Sequence, residues 1–361
     1  MKNIYSQFLS KEEKQEFLTL ATIIETKGSS PQVPGASAVF SPDGLLYGTV
    51  GGGLLEAKTQ EATLGAIREK RSLLLSVNLT GEVTSEEEAI CGGEAVVLID
   101  TETEKHKDTF LSLEESLKSR IPGVLSTFIQ PLAGEQVSIA RHWTERTQIY
   151  GEHAERLGPL YQDELQKCMS TGKPKLLKSL RIKTGEAGIS NLLFLEPLSP
   201  PSHLVIAGAG HIGRALAHLG SLLDFEVTVI DDRSEFANAD NLPEADRIIV
   251  GDIGKTIRNL PISQDTYVVI VTRGHSRDAD ALKGCIDSDA AYIGMIGSAH
   301  KTKLMHDNFL KEGLATPPLW DRIHAPIGIA IQSKTVQEIA VSIAAELVLV
   351  RNQVQDRLRS E

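Results

Sequence analysis

The residues best suited to chemistry form a glycine-rich run, Gly-Ala-Gly-His-Ile-Gly, at positions 208–213. The run follows an apolar stretch that predicts a buried strand, and it precedes a helical pattern. In that setting Gly208 permits a tight turn, Gly210 lets the backbone approach a pyrophosphate, and Gly213 lets the helix pack close to the strand. Free N–H groups at the helix start then face an anion. The run therefore predicts a phosphate-bearing ligand.

Three further residues bear on this prediction. His211, inside the run, either contacts the phosphate or a cofactor ring, or is a partly exposed residue at the helix start. Asp231 and Asp232 end the next predicted strand, where an acidic group usually accepts hydrogen bonds from ribose hydroxyls and disfavours a 2′-phosphate. The alternative is a Rossmann scaffold that no longer binds a nucleotide.

Two more loops follow predicted strands, at the edge where open α/β sheets bind ligands. In the first, the planar guanidinium of Arg273 is suited to phosphate oxygens. His275 with Asp278 is either an oriented base or half of a metal site, unless Asp278 caps the next helix and His275 is solvated. In the second loop, Gly297 and Ser298 are candidate donors to the same ligand, and Ser298 also suits a helix N-cap.

The N-terminal half contains two more loops of interest. One loop has three adjacent glycines, Gly51, Gly52 and Gly53, which cost conformational entropy on folding. This cost indicates contact with a ligand or a domain interface. The alternative is a plain strand-to-helix connection. Cys91 precedes paired glycines. It is either an exposed thiol whose pKa is lowered by neighbouring N–H groups, or a small buried thiol. Cys168 and Cys285 lie within helical patterns and are interpreted as structural.

The elements that must position these residues follow two patterns. From 203 onward, apolar runs alternate with helical patterns, which predicts a doubly wound parallel sheet of the Rossmann type: 204–207, 227–230, 248–250, 267–271 and 291–293. The earlier part mixes predicted strands and helices, with an Asp43-Gly44 hairpin turn. We therefore predict an N-terminal α+β domain at 1–196, a proline-rich linker at 197–202 and a Rossmann-like domain at 203–361.

Bulk composition narrows the class of protein. The chain has 361 residues, 41% hydrophobic and 24% charged, as in globular proteins. Its formal net charge of −11 argues against an extended nucleic-acid surface. Three widely spaced cysteines form neither a disulfide framework nor a zinc spacing. Without a signal-like N-terminal run or about 18 consecutive apolar residues, we expect a cytoplasmic protein with no membrane span.

Together these motifs resemble the xanthine dehydrogenase accessory protein family (XdhC/CoxI). The resemblance covers nearly the whole chain. It rests on an ordered set of segments: 27–31, 34–35, 48–56, 91–93, 208–214, 231–233, 296–298, 326–328 and 338–340.

The resemblance implies a chaperone-like maturation factor rather than an enzyme. Such a protein binds molybdenum cofactor, holds it for sulfuration and inserts it into a molybdenum hydroxylase similar to xanthine dehydrogenase. It implies a homodimer, the apo-enzyme as partner and a cysteine desulfurase as candidate partner. By this resemblance Cys91 contacts the cofactor, and the glycine loops form one site between the domains. The phosphate of the cofactor suits a helix N-terminus, and its sulfur-bound metal suits a thiolate.

The chain departs from the family pattern at two places. Where the family commonly has Thr-His-x-His, this chain has Arg273 in place of the first histidine. Where the family commonly reads Pro-Ile-Gly-Leu-Asp-Ile-Gly, Ala330 and Gln332 replace the aspartate and the last glycine. These departures point to a subgroup with an altered ligand or client enzyme.

The sequence is also compatible with two rival hypotheses. An NAD-dependent oxidoreductase is supported by the glycine run with Asp231 and Asp232, and His275 and Asp278 would then serve as acid and orienter. A nicotinamide or another nucleotide would be its cofactor. The other rival is an interaction scaffold with a vestigial pocket.

Overall fold

A computed structural model describes residues 4–12, 18–79, 93–151, 158–180 and 191–358. The chain divides into two compact units, with the division at Pro200. The second unit runs from Pro201 to Leu358. Within the described ranges, no helix combines the length and apolarity needed to cross a membrane.

The first unit begins with a five-stranded antiparallel sheet. Its elements in chain order are α1 (Ile4–Glu12), β1 (Thr19–Gly28), β2 (Ser37–Ser41), β3 (Gly44–Gly48), α2 (Gly53–Glu69), β4 (Leu73–Asn78) and β5 (Gly93–Asp100). The strand order is β3-β2-β1-β5-β4. The predicted hairpin is present, and Gly44 at its turn has φ +128°, a value that glycine adopts without strain. Helix α2 buries Leu55 and Ala66 against the central strands.

A second antiparallel sheet completes this unit. The remaining elements are a 3₁₀ helix at Thr103–His106, α3 (Lys107–Lys118), β6 (Gly123–Pro131), β7 (Val137–Glu145), α4 (Arg146–Tyr150), α5 (Pro159–Thr171), β8 (Lys175–Leu180) and β9 (Asn191–Leu198). The strand order is β7-β6-β9-β8. Five apolar side chains form a core cluster shared by the two sheets: Ile24, Leu98, Ile129, Val137 and Phe194. Strand β9 includes Pro197 and Leu198, two residues that were predicted to belong to the linker.

The second unit is a six-stranded parallel sheet, which confirms the predicted Rossmann-like class. Its elements are β10 (His203–Ala207), α6 (His211–Leu222), β11 (Glu226–Asp231), β12 (Arg247–Val250), α7 (Ile253–Arg258), β13 (Thr266–Ile270), α8 (His275–Cys285), β14 (Tyr292–Met295), α9 (Ala299–Lys311), α10 (Pro317–Asp321), β15 (Ile323–His324) and α11 (Val336–Leu358). The strand order is β12-β11-β10-β13-β14-β15. The order reverses between β10 and β13, and ligands bind at such a reversal in open α/β sheets.

Helices cover both faces of this sheet. Leu204 and Ile206 of β10 pack in one core cluster with residues of α6 and α11. Val205 and Ala207 of the same strand pack in the other cluster with residues of α7, α8 and α9. Alternate side chains of a strand point to opposite faces, so a strand covered on both sides is apolar throughout. This two-sided burial fixes the carboxyl ends of β10, β11, β13 and β14, where the predicted site residues follow.

Candidate functional site

The three glycines of the run 208–213 have different surroundings. Gly208 has φ +115°, its N–H donates to the carbonyl of Ile230 at 2.8 Å, and a Cβ here would lie 2.6 Å from the carbonyl oxygen of Val271. A Cβ at Gly213 would collide with the carbonyl oxygen of Gly208. Gly210, in contrast, has no heavy atom within 4 Å of its Cβ position. Two glycines therefore meet steric demands of the fold, while the middle one faces open space.

Helix α6 begins without a side-chain cap. Its first intrahelical hydrogen bond is donated by the amide of Arg214 to the carbonyl of Gly210, at 2.9 Å. Among the described residues, the amides of Gly210, His211 and Ile212 have no acceptor. His211 itself is exposed. These amides, with the positive end of the helix dipole behind them, form the geometry that binds an anion.

Asp231 differs from its predicted role as a ribose acceptor. It is only 2% exposed, and its Oδ1 accepts from the amide of Arg233 at 3.0 Å and from Nε of that residue at 2.8 Å. Its Oδ2 accepts from Nη2 of Arg233 at 2.9 Å and from the amide of Ala209 at 2.8 Å. Burial raises the pKa of Asp231, but these hydrogen bonds outweigh burial and lower the pKa to about 2. All four lone-pair positions of the carboxylate are taken by the protein.

Asp232 is also engaged. Its Oδ1 pairs with Nη1 of Arg277, in the first turn of α8. This pair lines a small pocket at the ends of β11 and β12 together with Asp252, Gly254 and Asp280. The acidic residue that sequence reasoning offered as a second ribose acceptor is thus part of a surface ion pair.

The loop after β13 separates its predicted residues. Asp278 is fully buried, where its Oδ1 accepts from the hydroxyl of Thr272 and its Oδ2 from Nζ of Lys301, both at 2.5 Å. It therefore neither orients His275 nor caps α8, whose N-cap is Gly274. This corrects the predicted His275–Asp278 pairing.

Arg273, in the loop after β13, and His275, the first residue of α8, are exposed and have no partner in the part of the chain that the structure describes. Both basic side chains lie at the rim of the crevice, by which we mean the opening at the carboxyl ends of β10 and β13, where the strand order reverses. Gly297 and Ser298 lie at the start of α9, and Ser298 is its N-cap, with Oγ accepting from the amide of Lys301 at 3.2 Å.

Sequence reasoning missed Lys301. It is the third residue of α9, and a cation in the first turn of a helix is disfavoured by the dipole unless an anion compensates. The placement of a lysine in the first helical turn was the feature of the sequence that could have indicated this residue. Here the buried carboxylate of Asp278 compensates the charge of Lys301. The aliphatic stem of the lysine passes Gly297, where an added Cβ would lie 3.4 Å from Cδ of Lys301.

The glycine loops of the first unit lie close together. Gly51 has φ +120°, and its Cβ position is 2.8 Å from Cγ of Pro31. Gly52 and Gly53 also have positive φ, with no heavy atom within 4 Å of their Cβ positions. Gly93 pairs with Gly28 across β1 and β5. The structure thus brings together segments at 28–31, 51–53 and 93.

Side chains stiffen the triple-glycine loop. The hydroxyl of Thr49 donates to Oε2 of Glu56 at 2.6 Å and accepts from the amide of Gly51 at 2.9 Å. Cys91 lies outside the described residues, so its predicted contact with a cofactor stays a prediction.

The other two cysteines are structural, as predicted. Cys168 and Cys285 are buried, and burial raises the pKa of each thiol to about 12. Both are therefore protonated near neutral pH and unsuited to bind a metal as thiolates. The described ranges contain no group of three or more His, Cys, Asp or Glu residues arranged for a metal ion.

The motif at 326–328 is explained by packing. Oε2 of Glu346 in α11 accepts from the amide of Gly328 at 2.7 Å and from the hydroxyl of Tyr292 at 2.5 Å, while its Oε1 lies 3.0 Å from Nδ1 of His324. These contacts fix the turn after β15 against the last helix. Gln332, where the family commonly has glycine, has φ +61°.

Known proteins share this architecture. Residues 204–347 match the family model described as the XdhC Rossmann domain, and residues 12–78 match that of the XdhC and CoxI family. A crystal structure described as a xanthine dehydrogenase from Bacillus halodurans has a TM-score of 0.75 at 23% identity, over 97% of this chain and 96% of that one. At this identity the likeness shows the fold alone.

Two relatives align over nearly all of this chain. A Bacillus subtilis (strain 168) protein, named as a probable subunit of xanthine dehydrogenase, is 24% identical over 362 residues, which are 98% of this chain and 99% of the relative. The uncharacterized protein YqeB of Escherichia coli (strain K12) is 24% identical over 351 residues, and the chain spans 46% of its length. The two family models together match more than half of the residues. The chain therefore belongs to the XdhC and CoxI family.

Proposed function

We propose that this chain is an accessory protein of a molybdenum hydroxylase related to xanthine dehydrogenase, and that its second unit binds the phosphate of molybdenum cofactor at the start of α6. One observation carries the proposal: the amides of Gly210, His211 and Ile212 have no acceptor within the described ranges, and the space at Gly210 is open. The names of the Bacillus relatives support the choice of client enzyme.

The charges around these amides fit a phosphate. Two carboxylates that follow β11 and β13 are neutralised within the protein, Asp231 by Arg233 and Asp278 by Lys301. An entering anion therefore meets no unpaired carboxylate from these two residues. Arg273 at the rim adds an exposed guanidinium, which binds phosphate oxygens well.

The sulfur-bound metal of the cofactor needs a different group. Cys168 and Cys285 are buried and protonated, which leaves Cys91 as the thiol for this role in the proposal. When bound, the cofactor supplies the metal chemistry of the client enzyme. The residues of this chain hold its phosphate and orient it for transfer, so the proposed role is that of a chaperone.

Partners belong to the same proposal. The apo-enzyme would receive the cofactor, a cysteine desulfurase would supply the sulfur, and the chain would act as a homodimer. Apolar Val341 and Leu349 of α11 are each 49% exposed, which supports an interface on that helix.

An oxidoreductase is a weaker candidate for this site. NAD binding in Rossmann domains uses a free acidic group at the end of the second strand, and Asp231 offers no free lone pair. His275 also lacks Asp278 as an orienting partner. These were the two features on which the oxidoreductase hypothesis rested.

The experiment is a binding measurement with two variants at one position. Purified protein is mixed anaerobically with molybdenum cofactor released from a molybdoenzyme, and bound cofactor is quantified after gel filtration. Gly210→Ala should keep the fold because its Cβ meets no protein atom, but it should bind about tenfold more weakly because that Cβ enters the space where the phosphate would lie. Gly210→Asp should lose more affinity, because its carboxylate also competes for the amides. Wild-type affinity in both variants would reject the phosphate site, and no binding by the wild type would reject the proposed function.

A further inference from the structure

Lys301 occupies a position that its own helix disfavours. It is the third residue of α9, close to the positive end of the helix dipole. Its stem passes Gly297, and Nζ reaches back to Oδ2 of Asp278 at 2.5 Å. The side chain is 28% exposed, so one end of this ion pair remains open to solvent.

The partner carboxylate is held from two sides. Asp278 is fully buried in the first turn of α8, and the hydroxyl of Thr272 donates to its Oδ1 at 2.5 Å. Apolar residues of similar volume often stabilise a fold as well as a buried ion pair does, because two charges must lose their hydration. The pair is therefore poorly explained by stability alone. What the arrangement achieves is to hold the ammonium group of Lys301 in a fixed position.

The pair also borders the glycine run. Thr272 directly follows Val271, and its Cα lies 3.1 Å from the Cβ position of Gly208. Gly297 continues from β14, the next strand beside β13. The contacts from Gly208 through Thr272 and Asp278 to Lys301 thus follow the carboxyl edge of β10, β13 and β14, where the strand order reverses. A ligand anchored at α6 would extend along this edge.

An ammonium group has three donors, and Asp278 takes one of them. The partial exposure of Lys301 leaves the others free to meet an anionic oxygen. We propose that Lys301 binds an anionic oxygen of the phosphate-bearing ligand on the β13–β14 side of the crevice, with Asp278 and Thr272 as positioning residues. This inference rests on the proposed function, because the ligand is the one anchored at Gly210.

The test separates a binding role from a structural one by using a charge-neutral double variant. Lys301→Met alone leaves Asp278 buried without its partner and destabilises the fold. The double variant Asp278→Asn/Lys301→Met removes both charges and keeps the shape. Lys303→Met, two residues along α9 and exposed, is the matched control. Affinity for molybdenum cofactor is measured anaerobically at several salt concentrations, and stability by urea unfolding.

We expect the double variant to stay folded, with a lower free energy of unfolding than the wild type because the new amide group has no acceptor. It should bind the cofactor at least about tenfold more weakly than the wild type, with a shallower salt dependence. Lys303→Met should change affinity less than about twofold. A double variant that binds as tightly as the wild type would reject the role of Lys301 while leaving the proposed function intact. Absence of binding by the wild type would reject both.

Discussion

Arg233 holds both carboxylate oxygens of Asp231, with Nε 2.8 Å from Oδ1 and Nη2 2.9 Å from Oδ2. The amide of Ala209 donates to the same carboxylate, so the ion pair ties the glycine run to the end of β11. The guanidinium also stacks on Phe236, with 4.0 Å from Cζ to the ring centroid. An aspartate at this position usually accepts hydrogen bonds from a ribose. Here Asp231 instead fixes the conformation of the loop that contains the free amides.

The first prediction concerns nucleotide binding. We expect NAD to leave the melting temperature unchanged, because the lone pairs of Asp231 are taken and Asp232 is paired with Arg277. Molybdenum cofactor should raise it, since a ligand that binds only the folded form stabilises that form. Differential scanning fluorimetry under anaerobic conditions measures both. A rise with NAD and none with the cofactor would favour the oxidoreductase.

The second prediction concerns acid stability. The folded-state pKa of Asp231 is lowered to about 2, below the ordinary value of 3.8, so its contribution is complete above pH 3.8 and disappears as the pH falls towards 2. Asp231→Asn should lose about 3 kcal/mol of unfolding free energy at neutral pH and progressively less in acid. Urea unfolding from neutral pH to about pH 3 measures the difference. Asp232→Asn is the control. Its ion pair is exposed, so this substitution should change the free energy of unfolding by less than about 1 kcal/mol.

The third prediction concerns a buried carboxyl in the first unit. Glu196 accepts from the hydroxyl of Tyr5 at 2.7 Å, and burial raises its pKa to about 7, against the lowering effects of Tyr5 and Arg141. The folded state therefore binds this proton more tightly than the unfolded chain, and stability falls as the pH rises from about 4.5 to about 7.

Glu196→Gln keeps an acceptor for Tyr5 without the charge. We expect it to match the wild type near pH 4.5 and to exceed it by about 3 kcal/mol above pH 7. Unfolding in urea across this range is the measurement, with the exposed Glu135→Gln as control. A constant difference between variant and wild type at all pH values would contradict the assignment.

The fourth prediction uses two glycines of one motif. Gly213→Ala should lower the free energy of unfolding by about 2 kcal/mol, because the new Cβ collides with the carbonyl oxygen of Gly208. Gly210→Ala should change it by less than about 0.5 kcal/mol, since no heavy atom lies nearby. Urea unfolding compares the two variants. Similar losses would mean that the helix packs less closely against the strand than described.

The fifth prediction concerns the cysteines. Cys91→Ala should weaken binding of molybdenum cofactor more than Cys168→Ala, because Cys168 is a buried, protonated thiol. Cys168→Ala should instead lower stability by about 1 kcal/mol through lost packing. Anaerobic binding and urea unfolding are measured on both variants. Equal losses of affinity would remove Cys91 from the site.

Local patterns in the sequence predicted much of the second unit. Spacing within one segment is enough to place Gly208 at a tight turn and Gly213 against a strand, because the turn needs the positive φ of Gly208 and Gly213 packs on the nearby carbonyl of Gly208. Alternating apolar runs likewise predicted the parallel sheet. The cap formed by Ser298 was predicted for the same reason.

Partners that meet through the tertiary fold could not be predicted in this way. Lys301 and Asp278 are 23 residues apart, and they meet because β13 and β14 are neighbours. Arg233 lies only two residues from Asp231, yet the direction of its side chain is set by packing on Phe236. Sequence spacing therefore located the crevice but did not assign which charges are already satisfied inside it.

The backbone at Gly52 and Gly53 is left-handed, with φ +71° and +53°, and the space around both is open. Chirality, and not size, is what excludes other natural residues there. A D-alanine has the mirror-image preference, so the positive φ would carry no backbone strain for it at either position. Because D-alanine samples fewer unfolded conformations than glycine, its introduction by chemical ligation would lower the entropy that the unfolded chain loses on folding.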